Sequence, residues 1–237
     1  MQALLMTLPV VMPVLFWAAY HYHKDRDLPE PPGNLVLCFA LGVAAAWLSK
    51  GAYAGLEPLG LRLDAVALGQ DDPWRLFLYA MLAIGPIEEL SKLLPFVLVV
   101  LRFRALDEPV DGIIYASFIA LGYAAVENFY YLELLAPGAA IARGFAGPVI
   151  HIVFASIWAY WISRAQLAEQ PRLRPAVTGL LIAAALHGLY DFLVLLQPVT
   201  ALPLAAALIA GIWIWRLRLI NRLIAAARPG SRPKRDD

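Results

Sequence analysis

Two adjacent carboxylates and a lysine stand inside an apolar run, Ile84-Gly85-Pro86-Ile87-Glu88-Glu89-Leu90-Ser91-Lys92, and Glu127-Asn128, His151 and His187 with Asp191 interrupt three later apolar runs. An ionisable group near a bilayer centre costs at least ~2.5–3.5 kcal/mol on insertion scales, so such residues face the protein interior and mark function. At helical spacing Glu88 and Lys92 share one face, as do His187 and Asp191, each pair being four residues apart. Glu88 and Glu89 diverge by ~100° around a helix, so only one points straight at a common centre. The other is placed to neutralise Lys92 or to hold a neighbouring helix, and the spacing leaves both assignments open.

Carboxylates and histidines around one wet cavity supply what peptide hydrolysis needs: a base for water and a group that stabilises the oxyanion. Imidazole and carboxylate are also zinc ligands, and a catalytic zinc site takes three protein ligands plus an open position. Glu127, His151 and His187 fill such a site, with Asp191 as a further ligand or as the acceptor that orients a histidine. Zn²⁺ is the candidate cofactor, with metal-free hydrolysis as the alternative; no HExxH pattern is present. The same polar set suits two other readings. One is a proton- or ion-coupled transporter; the other is a non-catalytic scaffold in which Glu88, Glu89 and Lys92 only fix helix packing.

The elements that must position these residues are membrane helices. Of the 237 residues 61% are hydrophobic and 16% charged, too much apolar surface for a soluble chain of this length to hide. Apolar stretches long enough to cross ~30 Å of hydrocarbon occur at about 3 to 20, 35 to 54, 74 to 101, 109 to 135, 146 to 163, 176 to 196 and 199 to 217, which predicts an all-α bundle of about seven spans. The first run lacks a basic leader and a small-residue cleavage site, so it reads as a retained span. Breaks are expected at 21–33, 55–73, 102–109, 136–147, 164–175 and 197–198, and Pro86 after Gly85 predicts a bend in the third span. Residues 1–220 read as one transmembrane domain and 221–237 as a basic tail.

Fourteen of the 19 basic residues fall on one side of this arrangement: Lys24 and Arg26, Arg102 and Arg104, Arg164, Arg172 and Arg174, and the terminal group Arg216, Arg218, Arg222, Arg228, Arg232, Lys234 and Arg235. Only Arg62, Arg75 and Arg143 fall on the other side. The positive-inside rule then puts the N-terminus outside and the C-terminus in the cytoplasm. Counted from the outer ends, Glu88 and Glu89 lie ~20 Å deep, Glu127 ~12 Å, His187 ~13 Å, and His151 and Asp191 within ~8 Å. The polar groups thus converge in the outer half of the membrane. Asp111 lies at the cytoplasmic end, with capping or pairing to Arg102 or Arg104 as its expected role. A net charge of +1 with scattered basic residues excludes nucleic acid as a partner, and the single Cys38 excludes a disulfide framework.

Glu88-Glu89-Leu90-Ser91-Lys92 resembles the EExxK motif of the PrsW family of intramembrane proteases. Asp111-Gly112 followed by Gly122-Tyr123-Ala124-Ala125-Val126-Glu127-Asn128 resembles that family's second block, Arg143 with His151 its third, and His187-Gly188-Leu189-Tyr190-Asp191 its fourth. The link Asp25-Arg26-Asp27-Leu28-Pro29-Glu30-Pro31 is also similar. The resemblance runs in order from about residue 20 to 195. It implies an endopeptidase of the bacterial inner (plasma) membrane that cuts a single-pass, membrane-anchored protein such as an anti-sigma factor in regulated proteolysis, and a distant kinship with CAAX prenyl endopeptidases and the Aph subunit of gamma-secretase. It assigns catalysis to Glu88, Glu89, Lys92, Glu127, His151, His187 and Asp191, with the last four as the metal set. Tyr123 replaces the usual phenylalanine, and its hydroxyl is expected to reach Glu127.

Overall fold

The computed structural model describes residues 2–24, 29–132, 137–196 and 201–227, and every regular element among them is helical. The helices are α1 (Gln2–Lys24), α2 (Pro32–Leu56), α3 (Ala65–Asp71), α4 (Pro73–Tyr79), α5 (Gly85–Leu98), α6 (Pro109–Leu132), α7 (Pro137–Leu167), α8 (Leu173–Leu195) and α9 (Leu202–Ala227). Five of them, α2, α6, α7, α8 and α9, are long and apolar enough to cross a membrane. The other two apolar runs of the sequence correspond to α1 and to the composite stretch from α4 through α5.

Sequence punctuation explains the helix starts. Pro32 opens α2 at a position whose N–H has no helical partner to lose. Asp64 caps α3 by accepting from the Val66 and Ala67 amides, and Asp72 caps α4 through the Arg75 amide. Between α4 and α5 the chain widens into a π-helical turn, Ala80–Ile84, at the place where a bend before Pro86 was expected, and the turn shifts the phase of every later residue in the segment.

The bundle is built around α6. Its apolar window is 89% buried, against 17% for α9, so α6 is a core helix and α9 a peripheral one. Ile113, Leu121, Ile152, Phe154 and Trp158 of α6 and α7 form the centre of the core. Small residues set the closest approaches, as in other membrane bundles. A Cβ on Gly42 or Gly122 would run into the Ile119 or Phe39 backbone where α2 crosses α6, and one on Gly85 or Gly188 would strike the Ala184 or Ala80 backbone where the start of α5 crosses α8.

Three expectations change, and of the two roles expected for Asp111 one is found. The break expected at 136–147 is helix from Pro137 onward: Gly144 and Gly147 serve close packing against Pro9 and Asn128, and Pro148 sits inside α7. The Gly144 carbonyl that Pro148 leaves without its helical donor accepts from Asn128 Nδ2 at 3.4 Å. The expected third span, 74–101, is not one α-helix but α4, the π-helical turn, α5 and a 3₁₀ turn at Val100–Arg102. Asp111 caps rather than pairs, accepting from the Asp107 and Glu108 amides at 3.0 and 2.7 Å. Arg216, counted above with the basic tail, is fully buried, and α9 carries Arg218 and Arg222 as far as Ala227. Arg228, Arg232, Lys234 and Arg235, the link 25–28, Ala136 and the pair Gln197-Pro198 lie outside the described residues.

Candidate active site

All seven sequence-derived residues gather at one place, carried by α5 (Glu88, Glu89, Lys92), α6 (Glu127), α7 (His151) and α8 (His187, Asp191). Its floor is Glu89. Oε1 accepts from Lys92 Nζ at 2.6 Å and from His187 Nδ1 at 2.8 Å, and Oε2 accepts from Trp158 Nε1 at 2.9 Å. Both oxygens are therefore occupied, and Glu89 and Lys92 are fully buried. Tyr123 closes the floor from α6: its ring lies 4.6 Å from Lys92 Nζ, and its hydroxyl pairs with Ser49 Oγ at 2.8 Å. The hydroxyl takes Ser49 of the crossing helix α2 as its partner, and no hydrogen bond to Glu127 is formed.

Glu88 forms the wall of a cavity of about 810 Å³ that Glu127, His151, His187 and Asp191 also line. Its Oε1 accepts from Tyr53 Oη of α2 at 3.3 Å. Its Oε2 is buried and has no hydrogen-bond partner, although His187 Nε2 lies 3.7 Å away and His151 Nδ1 4.0 Å. Each histidine is held by its other nitrogen. His187 Nδ1 donates to Glu89. His151 Nε2 donates to Glu127 at 2.6 Å, while its Nδ1 accepts from Lys92 Nζ at 3.1 Å. Glu127 is itself held by Arg143 Nη2 at 3.1 Å, and the Arg143 guanidinium stacks 3.6 Å from the centre of the Tyr131 ring. Asp191 Oδ2 lies 3.6 Å from His187 Nε2. Phe154 stacks on His187 with ring centres 4.7 Å apart, so the imidazole is clamped in plane as well as at its edge.

The model of the PrsW family of intramembrane metalloproteases matches residues 30–216 of this chain. The chain belongs to this family. Among curated relatives, the protease PrsW of Geobacillus kaustophilus is 28% identical over 94% of both chains. That of Clostridioides difficile is 28% identical over 86% of this chain and 84% of its own, and that of Bacillus subtilis 27% identical over 77% and 79%. No solved structure matches the chain. Membership makes the protein an intramembrane peptidase and sets that reading above the transporter and the scaffold.

A PrsW metalloprotease implies a metal, and the donors present fit one. Glu88, His151 and His187 each offer a ligand atom within 4.8 Å of the others, and all three are buried. The unpartnered Glu88 Oε2 faces His187 Nε2 and His151 Nδ1; a metal would take the Nδ1 lone pair that now accepts from Lys92, and each ring has a carboxylate on its far nitrogen, an arrangement common around ligating histidines. The donor set differs from the sequence-derived one: Glu127 sits behind His151 rather than beside the shared point, and Asp191 borders it. Sequence reasoning missed Tyr53 and Trp158. Trp158 stands seven residues after His151 and so on the same helix face, a signal that was available; Tyr53 carries none.

Proposed function

We propose that the protein is an endopeptidase that hydrolyses a peptide bond of a single-pass, membrane-anchored protein, of the anti-sigma-factor kind, close to the extracytoplasmic face of a bacterial inner membrane. The chain crosses seven times, α1 and the α4–α5 segment included, with its N-terminus outside; the one-sided distribution of basic residues supports this orientation. The basic segment 221–237 anchors the cytoplasmic end.

One observation carries the chemistry. Glu88 lines a cavity large enough for a peptide segment, and its Oε2 is buried without a hydrogen-bond partner beside His151 and His187. Glu88 accepts a proton from water as the water oxygen attacks the scissile carbonyl, and returns it to the amine as the C–N bond breaks. His187 in its doubly protonated form has Nε2–H aimed into the cavity and stabilises the oxyanion, its ring fixed by Glu89 and Phe154. Glu127 holds His151, Asp191 Oδ2 approaches His187 Nε2, and Lys92 neutralises Glu89, so that of the two neighbouring glutamates Glu88 is the one with a free oxygen. A Zn²⁺ held by Glu88, His151 and His187 would supply Lewis-acid polarisation of the carbonyl and lower the pKa of water at the site.

The test is cleavage of a genuine single-pass substrate in proteoliposomes with the product termini sequenced. The expected result is one cut in the outer half of the membrane or just beyond it, lost in Glu88→Gln. Cleavage on the cytoplasmic side, or wild-type cutting by Glu88→Gln, overturns the reading.

A further inference from the structure

The cavity that Glu88 lines has three basic side chains on its wall, Lys50, Arg62 and Arg143. Two of them are matched inside the protein: Arg62 pairs with Glu57 at 2.7 Å and Arg143 with Glu127 at 3.1 Å. Apart from the reacting Glu88, the other carboxylates of the wall are matched as well, Asp64 by the Val66 and Ala67 amides and Asp191 by His187. Lys50 of α2 differs from all of these. Among the described residues no carboxylate pairs with it, and its Nζ lies over two aromatic rings, 4.7 Å from the centre of Trp47 and 5.3 Å from that of Tyr130. Ring faces attract an ammonium and hold it in place, but they bring no counter-charge. Lys92, the other lysine inside an apolar run, is sealed against Glu89, so Lys50 is the cation of this cavity whose charge is left unmatched.

Its position is close to the reaction. Lys50 stands three residues before Tyr53, on the same face of α2, and Tyr53 Oη touches Glu88 at 3.3 Å. Tyr130 stands three residues after Glu127, ~4.5 Å farther along α6 toward its outer end. A chain whose scissile carbonyl lies at Glu88 therefore passes the Lys50 ammonium on the extracytoplasmic side of the cut. A place on the cavity wall favours a ligand inside the cavity over a lipid headgroup. Resting on the peptidase reading, we propose that Lys50 is a specificity residue, which binds the side-chain carboxylate of an aspartate or glutamate of the substrate a few residues outside the scissile bond. Trp47 and Tyr130 hold the ammonium ready, and the substrate supplies the counter-charge that the protein does not. The preferred substrates are single-pass proteins whose outer juxtamembrane segment is acidic next to the cut.

The test uses the full chain in proteoliposomes and a library of single-pass reporters whose extracytoplasmic juxtamembrane segment is randomised, with the product termini sequenced. Wild type should enrich aspartate and glutamate over asparagine and glutamine by about tenfold at one position outside the cut, as expected for a hydrogen bond between charged groups. Lys50→Glu should reverse the preference to lysine and arginine at that position. Lys50→Gln, the smaller change to the fold, should flatten it. A wild-type profile without acidic enrichment outside the cut overturns the proposal, and so does a profile that both variants leave unchanged, which would make Lys50 a headgroup contact. In both of those outcomes cleavage persists and the peptidase reading stands, whereas a library left uncut by wild type overturns both.

Discussion

Glu88 and Glu89 are chain neighbours on α5, yet they belong to two different regions. Around Glu89 every polar atom is used: three donors from Lys92, His187 and Trp158 reach its two oxygens, and the pair it makes with Lys92 is sealed from solvent. Around Glu88 the demand is left open, with one long contact from Tyr53 and one oxygen unpartnered between two imidazoles. A saturated buried carboxylate is an anchor, since its desolvation is offset by its partners. An unsaturated one holds reactivity in reserve. The contrast turns two identical side chains into a floor and a reacting group.

The strongest way to break the comparison is to attack the floor. Lys92→Met leaves Glu89 buried and charged, and should cost about 3–5 kcal/mol of stability, seen as a large fall in Tm and poor recovery from detergent. Melting within a degree of wild type would mean the pair is not an anchor. Next in size is Glu127→Gln, which loosens His151 without touching Glu88 and should lower kcat or metal affinity by about 10–100-fold; an unchanged value of both would remove Glu127 from the site. Tyr53→Phe frees Glu88 Oε1 and should lower kcat by about three- to tenfold, the loss of one modest hydrogen bond of about 0.5–1.5 kcal/mol, with KM unchanged. A rise in KM alone would make Tyr53 a substrate contact instead. The smallest effect belongs to Tyr123→Phe, which restores the residue usual in the family. It should change activity less than twofold and cost only the Ser49 bond, about 1 kcal/mol in melting.

Much of this was legible in the sequence. Polar residues inside apolar runs located the site on four helices, and Gly85-Pro86 marked the bend, because both signals are local in the chain. The division between Glu88 and Glu89 was not legible. It depends on the phase of α5, which the π-helical turn at Ala80–Ile84 resets, and on Trp158, whose spacing from His151 places it on the site's face but does not say which glutamate it reaches. Spacing put Lys92 on the face of Glu88 and left open which glutamate it neutralises; the structure pairs it with Glu89 three residues away. Gly144 and Gly147 fall in the expected break and are helix, because their role is close contact with α1 and α6, and such contacts belong to tertiary packing. Arg216 was misread for the same reason: near a chain end it looks like a topology anchor, and only its burial against Ser117 and Ser156 distinguishes it.

Metal content is a separate readout of the same contrast. Near-stoichiometric zinc in wild type, lost in His151→Ala, His187→Ala and Glu88→Ala, would make Glu88 a metal ligand. Carefully purified wild type without metal would assign it to water activation alone. The most direct test sets Glu88→Gln beside Glu89→Gln, with melting and substrate cleavage measured on the same preparations. The account predicts that Glu88→Gln melts within about 2–4 °C of wild type, the equivalent of about 1 kcal/mol, and loses cleavage by at least about 10²-fold, while Glu89→Gln melts far lower. A stable, active Glu88→Gln alongside a stable, inactive Glu89→Gln would contradict it.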